Sequence, residues 1–152
     1  MNYFISFGFI CLLVIKLVIG LQFEDCGSTV GKFTSIEITD CDTSKSSCVL
    51  HRNTNVTISL DFQVDEEISE VKSVVHGVIV GMEVPFKLPN NNACVDSGIE
   101  CPLKKDQQYK YSATLPVLKM YPKVKLTVKW ELQVGNSNGT DIVCVYIPAE
   151  IK

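Results

Sequence analysis

Six cysteines in the region after residue 20 constrain the fold of this chain more than any other feature. They are Cys26, Cys41, Cys48, Cys94, Cys101 and Cys144. An even number of cysteines behind an apolar leader is typical of disulfides made in an oxidising compartment. Each close pair would close a loop of six residues between strands, but six cysteines allow 15 connectivities and the spacing leaves the choice open. A zinc site is disfavoured, because zinc-binding cysteine pairs usually enclose about two to four residues.

Residues 1 to about 20 are predicted to be a secretory signal peptide. The run from Tyr3 to Val18 is almost wholly apolar, and Gly20 offers a small residue for cleavage. A membrane anchor would need about 20 apolar residues in a row, and Lys16 interrupts this run. We therefore expect one mature domain over residues 21–152, secreted from the cell or, alternatively, held in the lysosomal lumen.

The mature region is mildly acidic. It carries 13 basic and 17 acidic residues, because one of the chain's 14 basic residues, Lys16, lies in the leader. A nucleic-acid-binding domain would show basic stripes, so we expect no nucleic-acid partner. The same charge balance gives no reason to expect strong attraction to anionic lipid.

Apolar and polar residues alternate with a period of two along much of the mature region, which is typical of strands with one buried face. The clearest alternation runs from Val56 to Val64 and from Val124 to Val134, and a third apolar row runs from Tyr109 to Val117. No stretch shows a sustained helical period. Strands of this kind bury their apolar face against a second sheet, so the sequence predicts an all-β fold, a sandwich of two sheets.

The remaining strands are less sharply defined. The segment from Val74 to Phe86 is predicted to be one long strand, with a kink at Gly77 or Gly81. Shorter strands are expected at 33–39 and 142–147. A sandwich of this length would contain six or seven strands.

Candidate catalytic groups are scarce. The mature chain has two histidines; we interpret His51 as a solvated surface residue and His76 as a hydrogen-bonded structural residue in the row of Val74 and Val78. Nucleophile elbows, metal-binding helices and phosphate loops do not occur in the sequence, and six cysteines in disulfides supply no thiol. The sequence therefore predicts neither an enzyme, nor a metal site, nor a cofactor.

The apolar rows have two interpretations. Alternation alone favours an ordinary filled core, because a filled and a hollow sandwich give the same pattern. Three prolines among large apolar residues, Pro85, Pro116 and Pro122, indicate strand ends where a sheet can open, since proline donates no ladder hydrogen bond. An apolar mouth between two such ends would lead to a ligand cavity.

Two sequons predict glycosylation. They begin at Asn55 and Asn138, and neither has proline in its middle position. Asn55 is expected to face water, because the apolar residues of its strand are even-numbered, and Asn138 lies in a predicted turn.

Several short motifs, in order along the mature chain, are similar to those of a known family. They are Asp25-Cys26-Gly27-Ser28, Asn55-Val56-Thr57, Val74-Val75-His76-Gly77, Val84-Pro85-Phe86, residues 94–103, Leu115-Pro116-Val117, Tyr121-Pro122 and Trp130. In these motifs and in all six cysteines the sequence resembles the MD-2-related lipid-recognition (ML) family, in particular its insect-like secreted Niemann–Pick type C-2 members. The resemblance implies an immunoglobulin-like β-sandwich of two antiparallel sheets with a lipid tunnel between them. It also implies three disulfides, Cys26–Cys144, Cys41–Cys48 and Cys94–Cys101.

The resemblance further implies which residues bind lipid. Phe86, Val117 and Tyr121 match the residues that line and guard the pocket of sterol-carrying members. The weaker lining candidates from the same comparison are Tyr111, Leu115, Val128, Trp130 and Ile147. The family's lipid-transfer patch corresponds to residues 76–84.

This chain departs from the sterol carriers at two positions. Glu83 replaces a proline in the transfer patch, which puts a charge beside the expected mouth. Val145 replaces a second tryptophan, and this loss of bulk is expected to reshape the tunnel. Cholesterol specificity is therefore not carried over.

The function that follows is a carrier for a sterol, a fatty acid or a similar hydrophobic ligand. We expect a monomer with transient contact with a membrane or a lipid-accepting receptor. The alternatives are an immune accessory protein that recognises bacterial lipids, and a filled sandwich acting only as an adhesion or interaction module.

Overall fold

The computed structural model of the protein describes residues 20–135 and 137–152, so the predicted signal peptide lies outside it except for Gly20. The described residues form nine strands. These are β1 (Glu24–Asp25), β2 (Gly31–Ile38), β3 (Cys48–Leu50), β4 (Thr54–Val64), β5 (Val71–Ile79), β6 (Met82–Phe86), β7 (Gln108–Val117), β8 (Lys125–Val134) and β9 (Asp141–Ile151). No helix in this part of the chain is long and apolar enough to cross a membrane.

The strands form two sheets, and the predicted all-β sandwich is confirmed. The large sheet has the order β1-β9-β8-β5-β6, with β3 also paired to β9, and the small sheet has the order β2-β4-β7. Neighbouring strands are antiparallel except β3, which runs parallel to the end of β9. The predicted number of strands was too low, because β1 and β3 are too short to show a period and because one predicted strand is two.

The predicted long strand from Val74 to Phe86 is wrong: the segment is a hairpin. Ile79 pairs with Met82, so Val80 and Gly81 form a two-residue turn, and both have positive φ, at 49° and 77°. Positive φ at both central positions is the geometry that matches the twist of a two-residue hairpin. Valine rarely adopts positive φ, so no turn was expected at Val80.

The three disulfides join Cys26 to Cys144, Cys41 to Cys48 and Cys94 to Cys101. Because disulfides form and persist in oxidising compartments, this is an extracellular or lumenal protein.

One of the two close pairs does not lie in a loop between flanking strands as expected. Cys94 and Cys101 lie inside the long connection of residues 87–107, between β6 and β7. This connection is anchored in the core by its buried side chains Leu88, Ala93 and Leu103.

The connection of residues 87–107 also closes one side of the sandwich. The backbone N–H of Ser73 on β5 donates a hydrogen bond to the connection. In return, the backbone N–H of Ala93 in the connection donates to the backbone oxygen of Val71 on β5. On the other sheet, the backbone N–H of Ser112 on β7 donates to Ser97 in the connection. The connection therefore bridges the two sheets next to the first half of β5.

The core packs tightly between the sheets near that bridge. Its centre contains Leu60 and Phe62 on β4, Leu132 on β8 and Val145 on β9, none of which is more than 1% exposed. Phe62 packs against Tyr109, with ring centroids 5.8 Å apart. Burial of large apolar side chains is the main favourable term that holds such a sandwich together.

Candidate functional site

An apolar cavity of about 630 Å³ lies between the two sheets. This volume is within the range of small-molecule sites, about 300–1,000 Å³. Inward-facing side chains of both sheets form its walls. The wall residues are Ile38, Cys48, Leu50, Val56, Ile58, Val75, Ile79, Leu115, Val117, Leu126, Val128, Trp130, Ile147, Ala149 and Ile151.

The cavity occupies only one half of the sandwich. On β8, Leu126, Val128 and Trp130 line it, whereas Leu132, the next inward residue, is in the packed core. The boundary falls at the same level on β9, between Ile147 and Val145. We call the part with the cavity the hollow half and the part beyond Trp130 the filled half. From Leu126 to Trp130 the cavity extends about 13 Å, at about 3.3 Å per strand residue.

The cavity opens at one side of the hollow half. The solvent-exposed residues of its lining are Val84, Pro85 and Lys87, at the end of β6, and Pro122, in the loop before β8. The connection of residues 87–107 bridges the sheets beside the filled half, so it leaves this stretch between β6 and β7 open. All three prolines that indicated an opening, Pro85, Pro116 and Pro122, line the cavity.

Phe86 and Tyr121 face each other across this opening. Their ring centroids are 5.7 Å apart and the rings meet edge to face. Arg52 holds the loop of Tyr121 in place, since its Nη1 donates to the backbone oxygens of Lys119 at 3.1 Å and Tyr121 at 3.5 Å. Partial burial raises the pKa of the Tyr121 hydroxyl above its usual value.

The structure brings seven of the eight predicted lipid-binding residues together in the lining of this cavity. The seven are Phe86, Leu115, Val117, Tyr121, Val128, Trp130 and Ile147. Tyr111 is the exception, because it lies one step inside the filled half. Its ring packs edge to face against Trp130 at a centroid distance of 6.1 Å, and its hydroxyl donates to Ser73 Oγ at 3.0 Å. Burial raises the pKa of this hydroxyl, although the hydrogen bond with Ser73 opposes the shift.

Several wall residues were missed by the sequence analysis. Ile58, Leu126, Ala149 and Ile151 line the cavity as fully as the predicted residues do. Each continues an alternating row that runs on into the filled half, so no signal in the row separates the residues of the cavity from those of the core. Only the prolines at the strand ends indicated which end is open.

The structure shows the surroundings of the two residues that depart from the sterol carriers, Val145 and Glu83. Val145 is fully buried in the filled half and does not line the cavity, so it contributes no surface to the cavity wall. Glu83 pairs in register with Val78 on β5, and its carboxylate lies 3.1 Å from Lys129 Nζ. The charge of Glu83 is therefore matched by a cation instead of being free at the mouth.

His76 lies on the outer face of the large sheet. The inward residues of β5 are Val71, Ser73 and Val75, all buried, so His76 belongs to the opposite face. The hydrogen bond expected for this structural histidine is missing at Nδ1, which is buried and lies 3.5 Å from Glu131 Oε2.

An acidic cluster lies beside His76 on the same face. Glu131 Oε1 lies 3.5 Å from Lys129 Nζ. Burial alone would lower the pKa of the Lys129 ammonium, but the hydrogen bond to Glu83 and the charge of Glu131 raise it. Glu131, Asp141 and Cys144 lie close enough to hold a metal ion, but Cys144 is in a disulfide and supplies no thiolate ligand.

The two sequons lie on the surface. Asn55, on β4, and Asn138, in the turn before β9, are both exposed. Glycosylation at these sites stays a prediction.

Comparison with known proteins agrees with this architecture. A profile described as the ML domain matches residues 20–151. The chain is 54% identical to a Drosophila melanogaster protein named NPC intracellular cholesterol transporter 2 homolog a, over 93% of this chain and 95% of that one. It is 35% identical to the Bos taurus NPC intracellular cholesterol transporter 2, over 97% of this chain and 96% of the relative.

A solved structure shows the same fold. The crystal structure of a Niemann-Pick type C2 protein from Japanese carpenter ant superposes with a TM-score of 0.82 at 38% identity, covering 87% of this chain and all of that one. The sandwich with its half-open interior, the three disulfides and these similarities agree with one another, and on them this chain belongs to the ML domain family.

Proposed function

We propose that this protein is a carrier that takes up a sterol, a fatty acid or a similar hydrophobic ligand and shields it from water. The observation that supports the proposal most is the apolar cavity of about 630 Å³ with an opening to one side. The names of the fly and cattle relatives, which are cholesterol transporters, favour a sterol as one ligand.

The free energy of uptake would come from the removal of apolar surface from water. Each CH₂ group that leaves water contributes about 0.8 kcal/mol, and ordering of the ligand offsets part of this gain. The walls are built from aliphatic side chains such as Ile58, Val128 and Ile147, which select by shape and length. A hydrophobic pocket discriminates weakly between ligands that differ by a few methylenes, so we expect more than one lipid to bind.

The proposal includes no catalysis. In the described part of the chain all cysteines are in disulfides. His76 contributes to the cavity lining, but its Nδ1 lies beside Glu131 on the outer face of the large sheet. The half-buried His76 imidazole lies beside the Glu131 carboxylate, and the described residues provide no thiol for it to activate. We expect the monomer to be the working unit.

The hairpin of β5 and β6 supports transient contact with a membrane or a receptor. Its tip exposes apolar side chains next to the opening: Val80 is 95% exposed, Met82 66% and Val84 50%. Exposed apolar patches of this kind often mark interaction sites. Because β6 continues from this tip to Phe86 at the mouth, a lipid would pass between the cavity and an acceptor over a short apolar path.

The test replaces Val117 with phenylalanine. Val117 lies on the cavity wall and is 6% exposed, so the added ring would fill space that a ligand needs. We expect Val117→Phe to abolish binding of a fluorescent sterol and of a fatty acid by protein stripped of lipid, while its Tm stays close to that of the parent. Isothermal titration and thermal unfolding measure the two quantities.

The matched control adds the same ring to the filled half. Val64 on β4 is fully buried there, and overpacking a filled core costs about 1–3 kcal/mol. Val64→Phe should therefore lower the Tm and keep lipid binding, the reverse of Val117→Phe. A parent protein that binds neither lipid, or a Val117→Phe protein that binds as well as the parent, contradicts the proposal.

A further inference from the structure

At its closed end the cavity is bounded by Trp130, which two residues from two other strands support from behind. Trp130 of β8 faces the cavity, Tyr111 of β7 packs edge to face behind it, and the Tyr111 hydroxyl donates to Ser73 of β5 at 3.0 Å. None of the three is more than 2% exposed. We call Trp130, Tyr111 and Ser73 the floor.

The floor joins the two sheets. Tyr111 belongs to the small sheet, whereas Trp130 and Ser73 belong to the large one. A buried hydroxyl that loses its partner is unfavourable, so the hydrogen bond to Ser73 fixes the position of the Tyr111 ring. The ring in turn leaves Trp130 no room to move away from the cavity, because protein interiors are close-packed.

The rest of the lining has a different character. The side walls are aliphatic, and the aromatic pair at the mouth, Phe86 and Tyr121, is partly exposed. The floor is the one place in the described lining where an aromatic side chain is backed by a second aromatic ring and a hydrogen bond. The floor is therefore the part of the lining whose position is fixed by specific contacts behind it.

We propose that Tyr111 and Ser73 act as positioning residues, which hold Trp130 and thereby set the depth of the cavity and the longest lipid that fits. This inference rests on the carrier function proposed above. A lipid whose apolar end reaches Trp130 cannot go deeper, so each further carbon remains at the mouth, where it contacts water and contributes less to binding.

The experiment uses a series of saturated fatty acids from twelve to twenty-two carbons with lipid-free protein. Trp130 is the sole tryptophan of the sequence, so its fluorescence reports directly on the floor. For the parent we expect affinity to rise with chain length and then level off or fall, with a change in Trp130 emission once the lipid reaches the floor. For Tyr111→Val, which opens space behind Trp130, we expect the optimum to move to a chain at least two carbons longer.

Tyr109→Val is the matched control. Tyr109 lies two residues before Tyr111 on the same face of β7, but it packs against Phe62 in the filled half. Its loss should lower stability and leave the optimal chain length and the Trp130 emission of the complex unchanged.

Two milder variants test the hydrogen bond and keep the inference testable if Tyr111→Val does not fold. Tyr111→Phe and Ser73→Ala each remove the hydrogen bond between residues 111 and 73 and keep the packing of the side chains. Both should flatten the affinity profile on its long-chain side and shift the Trp130 emission of the lipid-free protein.

The outcomes separate the two proposals. If the parent binds no lipid of any length, the carrier function and this inference both fail. If the parent binds but its affinity shows no optimum, or if folded Tyr111→Val, Tyr111→Phe and Ser73→Ala all keep the parent profile, the carrier function stands and the role of the floor is overturned.

Discussion

The hollow and filled halves of the sandwich are made from the same strands and yet differ in what lies between them. In the filled half, the space between the sheets is occupied by Phe62, Tyr109 and Tyr111. The connection of residues 87–107 bridges the two sheets at one side of this half. In the hollow half, aliphatic side chains line the walls, and the aromatic residues lie at its ends, Trp130 at the floor and the Phe86–Tyr121 pair at the mouth.

The difference shows that the position of the aromatic side chains and of one long connection decides whether a sandwich encloses a cavity. Strand pairing is continuous through both halves, since β8 pairs with β9 from Lys125 to Gln133, with one register shift after Leu132. Close packing of the interior holds only where the side chains are large enough to meet across the gap. The carrier therefore keeps its stability in one half and its binding site in the other.

The largest difference between the halves is expected from their disulfides. Cys26–Cys144 ties the filled half across a sequence separation of 118, whereas Cys41–Cys48, at the cavity wall, closes a separation of 7. The chain-entropy relation gives a loss of about 4–5 kcal/mol without the first and about 2–3 kcal/mol without the second. Urea unfolding of Cys26→Ala/Cys144→Ala and Cys41→Ala/Cys48→Ala measures both losses, and an equal or reversed order contradicts the expectation that the longer loop contributes more.

A leucine pair on one strand compares the halves more directly. Leu132 and Leu126 both face inward on β8, the first fully buried in the filled half and the second at the cavity wall. We expect Leu132→Ala to cost about 2–5 kcal/mol through lost burial and a new void, and Leu126→Ala to cost about 1 kcal/mol in lipid-free protein, because fewer contacts are lost beside existing empty space. Equal costs in chemical denaturation would mean that the cavity is packed in solution.

The smallest predicted effect concerns the carboxyls of Asp141 and Asp25, near the filled half. Burial and the charge of Glu131 raise the pKa of the Asp141 carboxyl, and the hydrogen bond from Gln133 opposes this only in part. A carboxyl with a raised pKa gives stability that is present below its unfolded pKa and is lost as the pH rises through its folded pKa. Asp141→Asn should therefore be more stable than the parent at neutral pH, with the advantage shrinking toward pH 4.

Asp25 provides the control of opposite sign. Burial alone would raise the pKa of its carboxyl, but hydrogen bonds from Ser28 and Gly27 lower it. A lowered pKa gives stability that is present above the unfolded pKa and is lost in acid, so Asp25→Asn should be less stable than the parent at neutral pH. Thermal unfolding across the pH range checks both variants. A change in stability of the same sign for Asp141→Asn and Asp25→Asn at neutral pH would contradict the opposite pKa shifts of the two carboxyls.

Most of the fold could be predicted from the sequence. Alternation identified β4, β7 and β8 because one face of each is apolar and turned toward the interior, so a period of two is visible in the side chains. The β5–β6 hairpin escaped detection because its turn uses Val80 at positive φ. The short strands β1 and β3 have too few residues for any period.

The site could be predicted only in part. Pro85, Pro116 and Pro122 indicated the opening, and the resemblance named seven residues that do line the cavity. The boundary at Trp130 was not readable, because Leu60 and Ile58 have the same type and spacing although one lies in the filled half and the other at the cavity wall. A void forms where side chains of the two sheets do not meet. These side chains belong to residues that are far apart in sequence, so the pattern along one strand does not reveal the void.

The most direct test of the central claim is native mass spectrometry of the purified protein, followed by identification of any lipid released on denaturation. The account predicts a mass increase of one lipid per chain, with a sterol or a fatty acid as the released molecule, and a return to the bare mass in Val117→Phe. Lipid A or a similar bacterial lipid would point instead to the immune accessory function. The bare polypeptide mass, unchanged after incubation with sterol and with fatty acids, would contradict the claim that the hollow half is a lipid-binding site.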